Sequence, residues 1–93
     1  MKHVVIRSKS AGVFVGEIES KDGQEVVLKN ARRLWFWSGA SSLSQLSQEG
    51  VKYPENCKFP REVPEITIFE VIEIIPMTDK AVKSIKAVPV WES

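Results

Sequence analysis

The run EITIFEVIEIIP, residues 65 to 76, is the densest stretch of β-branched residues in the chain and is long enough to cross a sheet. Its spacing predicts one long strand, with Glu65, Glu70 and Glu73 at its exposed or edge positions. Strand partners come from the N-terminal third. HVVIRS and GVFVGEIES flank a turn at KSAG, where Ser10 and Gly12 supply the turn chemistry. KDGQ, residues 21 to 24, carries an Asp-Gly pair that adopts the positive φ of tight hairpins. EVVLKNA and RRLWFW then give two more β-rich runs, so residues 2 to 37 read as an antiparallel meander.

Two helices punctuate the remainder. SSLSQLSQEG has Ser41 or Ser42 as a cap, Leu43 and Leu46 on one face, and Gly50 to close its end. MTDKAVKSIKAV has Thr78 as a cap and Ala81, Val82 and Ile85 at helical spacing, with Lys80, Lys83 and Lys86 on the wet face. VKYPENCKFPREVP, with three prolines, reads as a loop, and VPVWES as an extended tail. The expectation is an α+β single domain, residues 1 to 93: a mainly antiparallel sheet of about five strands with two short helices on one face.

Charge narrows the partners. Thirteen basic and 12 acidic residues leave a net charge of +1, without the basic excess that a groove for long DNA or RNA requires. A single cysteine, Cys57, excludes an intramolecular disulfide and a CxxC site. No apolar run has the length of a signal peptide core or a membrane span, so an intracellular, cytoplasmic protein is expected. His3 has no carboxylate or histidine at a useful spacing, and Cys57 has no sequence neighbour that would activate a thiolate. No phosphate loop, dinucleotide fingerprint or metal pattern is present, so neither an enzyme nor a cofactor is expected.

The unusual segment is NARRLWFWSGASSLSQL, residues 30 to 46. If RRLWFW is extended, Arg33, Trp35 and Trp37 share one face, while Arg32, Leu34 and Phe36 share the other, which looks like core. The SGASS turn then leads into a helix N-terminus, where free backbone N–H groups and the Ser41 and Ser42 hydroxyls suit an anion. Stacking surface, guanidinium and anion-binding turn together meet the needs of a nucleotide-like ligand. The same residues have ordinary uses: tryptophans in cores, serines as caps, and arginine in structural cation–π pairs.

The segments SAGVFVG, VVLKNARRLWFW, SLSQL, PENCKFP and EVIEIIP, with the VPVW tail, resemble a family of small proteins of unknown function from tailed bacteriophages and prophages. The resemblance spans nearly the whole chain and implies synthesis in an infected bacterial cytoplasm and an accessory role. It transfers no site residue. Small phage accessory proteins include oligomeric sponges that trap cyclic nucleotide or cyclic ADP-ribose signals without cleaving them. Two expectations follow. In the first, a homo-oligomer sequesters a nucleotide-derived immune signal through Arg32, Arg33, Trp35, Trp37, Ser41 and Ser42. In the second, the tryptophans and Arg33 anchor a protein–protein contact with a host factor, or within a phage assembly.

Overall fold

The computed structural model describes residues 2–92. Its strands are β1 (Lys2–Ser8), β2 (Gly12–Asp22), β3 (Glu25–Arg33), β4 (Val63–Ile68) and β5 (Val71–Pro76). They form one antiparallel sheet in the order β4-β3-β2-β1-β5, with helices α1 (Leu43–Glu49) and α2 (Asp79–Lys86). This is the α+β architecture that the sequence predicts, but the five strands are not the expected five. RRLWFW adds no strand of its own, because β3 ends at Arg33, and EITIFEVIEIIP splits into β4 and β5.

That split shapes the molecule. β4 and β5 are joined by only Phe69 and Glu70, yet β4 pairs with β3 and β5 pairs with β1, at opposite edges of the sheet. Three Cα–Cα steps of about 3.8 Å separate Ile68 from Val71, so the two edges approach within about 11 Å at this corner. The sheet must therefore curl strongly, although it stays open, with β4 and β5 as its unpaired edges. Glu70 takes φ 56, and external bonds hold the corner in place. Lys9 N–H donates to Glu70 O (2.9 Å), Ser8 Oγ to Phe69 O (2.7 Å), and Val71 N–H to Gln24 O (2.9 Å).

Bulges supply the curl. The β2–β3 register shifts between Val15 and Glu17, where Asn30 and Ala31 oppose Gly16, and again between Ile18 and Ser20. Gly16 suits the close approach of β3, since a Cβ there would lie 3.1 Å from both Ala31 Cα and Lys29 O, and that backbone would have to give by a few tenths of an ångström. Asn30, at φ 49, donates its amide to Glu17 Oε2 (2.6 Å), which holds the Glu17 carboxyl below its usual range. That small contribution is present above the ordinary carboxylate range and disappears as the pH falls through the lowered value.

Alternation along the strands makes two cores. On the inner face of the curl, every strand contributes: Val4 and Ile6, Phe14, Val26 with Leu28 and Ala31, Ile68, and Val71. Outside it, Val5 and Val15 lie beneath Leu46 of α1, Ile85 of α2 and the loop residues Phe59 and Val88. Both helices thus cover one face, as expected. Ser42 and Thr78 cap them, accepting from Gln45 N and Ala81 N. Gly50 ends α1 at φ 78 against α2, where a Cβ would fall 2.3 Å from Ser84. Gly50→Ala is expected to cost about 2–4 kcal/mol from backbone strain and overlap. A thermal melt should then show a midpoint lowered by roughly 10 °C or more.

Candidate functional site

The segment after β3 departs from simple alternation for a local reason. Arg32 and Leu34 turn inward while Arg33 and Trp35 turn outward, as an extended chain requires. Beyond that point the chain pairs with Lys58: Trp35 N–H and Phe36 N–H both donate to Lys58 O (3.1 and 3.2 Å), and Lys58 N–H returns to Phe36 O (2.7 Å). Two residues facing one is a bulge, and a bulge advances the side-chain phase by one residue. Phe36, expected in the core, is therefore 50% exposed, next to Trp35 at 66%. Trp37 turns inward and packs on the outer core beside Cys57. The face expected for Arg33, Trp35 and Trp37 thus keeps its first two members and loses the third.

Arg32 is engaged mainly by the chain itself rather than by the outward aromatic face. The residue is only 8% exposed, and its guanidinium donates to five main-chain carbonyls. Nε reaches Pro60 O (2.9 Å) and Nη1 reaches Ile85 O (2.9 Å). Nη2 reaches Phe59 O (3.1 Å), Val88 O (2.8 Å) and Pro89 O (3.1 Å). The Phe59 ring lies 5.4 Å from the guanidinium carbon. Ile85 O, which also accepts Val88 N–H (3.2 Å), lies at the negative end of the α2 dipole, which stabilises the buried cation. Burial still lowers the pKa from the ordinary arginine value, opposed chiefly by the more distant charge of Glu62.

The serine turn is also engaged within the chain. Ser42 Oγ accepts Gln45 N–H (3.1 Å), and both the N–H and Oγ of Ser41 donate to Gln45 Oε1 (2.9 and 2.8 Å). The groups proposed for an anion are those that fix a seven-residue helix.

Two other features stand out. Residues 35–37, 57–59 and 90–91 run side by side, through the antiparallel bridge Phe36↔Lys58, the parallel bridge Phe59↔Val90 and Trp91 N–H to Phe59 O (3.0 Å). Phe36, Lys58 and Trp91 form an outward row, with Lys58 Nζ 5.6 Å from the Trp91 ring. Two cavities among the described residues are also relevant. The larger, about 310 Å³, lies between the sheet and α2 and includes His3, Arg32, Glu62 and Lys86 in its wall. The smaller, about 220 Å³, includes Phe14, Arg33, Arg61 and Ile66. Neither is lined by Trp35, Trp37, Ser41 or Ser42. Sequence reasoning missed the larger cavity, since its wall comes from segments far apart in the chain and no local motif marks it.

Residues 1–85 match the family described as a domain of unknown function, DUF6948. The chain belongs to this family. No match was found among curated proteins or among solved structures. The DUF6948 match takes in all five strands and Arg32, whereas Val88 and Pro89, two of its carbonyl partners, and Trp91 lie beyond it. Among the described residues, no group of three or more His, Cys, Asp or Glu side chains is placed to hold a metal ion, and no helix is long and apolar enough to cross a membrane.

The two neighbouring arginines should respond differently to substitution. Arg32→Lys removes a planar fork that a single ammonium cannot replace and leaves buried carbonyls unpaired, at a cost of about 2–4 kcal/mol. Arg33→Lys, on the exposed face, should stay within roughly 0.5 kcal/mol of the parent in urea denaturation.

Proposed function

We propose that the protein is a non-catalytic accessory protein of a phage or prophage that docks a bacterial or viral protein through Trp35, Phe36 and Trp91. The observation that supports this most is the exposure of Trp35, two-thirds open to solvent on backbone pinned by hydrogen bonds to the 57–59 segment. Tryptophan is enriched among the residues that dominate binding energy, and rigid aromatic surface costs little entropy to bury. Lys58 beside Trp91 gives the patch a cationic centre, which suits a partner with an acidic rim. In size measurements the protein should run as a monomer; self-association lost on Trp35→Ala would mean that a second copy is the true occupant. Tagged protein should retain a stoichiometric partner from an infected lysate. Trp35→Ala and Lys58→Glu should each weaken capture at least tenfold without lowering the melting temperature. Capture indifferent to Trp35 would refute the reading.

Arg33 supports a second reading, sequestration of a nucleotide-derived immune signal. Its guanidinium has no carboxylate partner among the described residues and lies 4.6 Å from the Phe14 ring, at the smaller cavity. A cyclic dinucleotide exceeds that cavity, so this reading calls for a second protomer to complete the enclosure. Calorimetry against cyclic oligonucleotides and cyclic ADP-ribose isomers should show micromolar or tighter binding, reduced at least tenfold by Arg33→Ala. Absence of heat with every compound would exclude it.

A further inference from the structure

The larger cavity has a composition that neither reading uses. Its apolar walls are Val15 of β2, Val82 and Ile85 of α2, Met77 before that helix, and Val88 and Val90 after it. Its polar groups are more selective. His3 enters from β1, Lys86 from the last turn of α2, and Arg32 from β3, against the single carboxylate of Glu62. Asn30 also belongs to the wall, but its amide is bonded to Glu17.

Arg32 sets the electrostatic balance. It is buried with no carboxylate within 4.0 Å among the described residues, and neutral carbonyl dipoles are its only short-range partners. Its Nη1 carries two hydrogens and has one acceptor, Ile85 O, so one N–H is uncommitted. Lys86 has no ion-pair partner among the described residues either. An anion entering this cavity gains the cations Arg32 and Lys86, against the Glu62 carboxylate in the wall and the solvated Glu17 carboxylate beside it, which lies close enough to feel His3 and Lys86. Size bounds the rest. At about 30 Å³ per water, 310 Å³ holds about ten waters, and so a ligand of roughly ten heavy atoms.

We infer that the cavity between β1, β2 and α2 binds a small amphipathic carboxylate. Its apolar body of about five to seven carbons lies against Val15, Val82 and Val88, and its carboxylate lies toward Lys86, His3 and the uncommitted Arg32 N–H. This site is separate from the aromatic patch, so the inference stands or falls independently of the protein-docking reading.

Titration of the full chain with octanoate, followed by amide NMR shifts and thermal melting, tests the assignment. Octanoate should shift amides of β1, α2 and residues 88–90 saturably and raise the melting temperature. Octanol should bind at least tenfold more weakly, and inorganic phosphate should shift none of these amides. Lys86→Met, on the exposed end of α2, should weaken octanoate at least tenfold and leave octanol unchanged. Val82→Trp should abolish both by filling the space. Shifts centred elsewhere, equal affinity for octanol, or a Lys86→Met response equal to the parent would each overturn the inference.

Discussion

A single side chain joins the end of β3, the loop at residues 59–60 and the end of α2. Arg32, near the end of β3, gathers carbonyls from Phe59 and Pro60, from Ile85 near the end of α2, and from Val88 and Pro89 beyond it. A buried cation normally carries a large desolvation penalty. Here carbonyl dipoles replace the lost water, and the end of a helix supplies part of the compensating negative potential. The extended segments 57–59 and 90–91 are consequently held in register beside residues 35–37, and the outer aromatic row rests on them. Fold and candidate docking surface thus depend on the same guanidinium.

Much of this was legible in the sequence. Helix ends follow local chemistry, so Ser42, Gly50 and Thr78 mark them where they occur. Alternation also held a signal about Arg32, which it placed on the same side as the core residue Leu34. The reading as a phosphate ligand overlooked that a paired carbonyl set can satisfy an inward arginine as well as an anion can.

The misreadings have a common cause in tertiary contacts without a sequence signature. Nothing in ITIFEVIEI announces a corner: it contains no glycine, proline or asparagine, and Glu70 adopts its positive φ because Ser8, Lys9 and Ser10 bond the corner from outside. The phase slip at Trp35 and Phe36 likewise arises from a bond to Lys58, more than twenty residues away. One such slip redistributes a whole face, turning Phe36 out and Trp37 in. The cavity under α2 was invisible for the same reason, because His3, Arg32, Glu62 and Lys86 meet only when the sheet has curled.

The sharpest test of this account is the hydrogen exchange of the arginine side chains, read from their Nε–H resonances by NMR. Arg32 Nε–H, bonded to Pro60 O in a buried site, should give a sharp signal that survives at mildly alkaline pH, where the exposed Arg33 signal is lost to rapid exchange. An Arg32 signal that disappears together with that of Arg33 would show a guanidinium open to water, and the proposed clamp between β3, the 57–60 segment and the end of α2 would not exist.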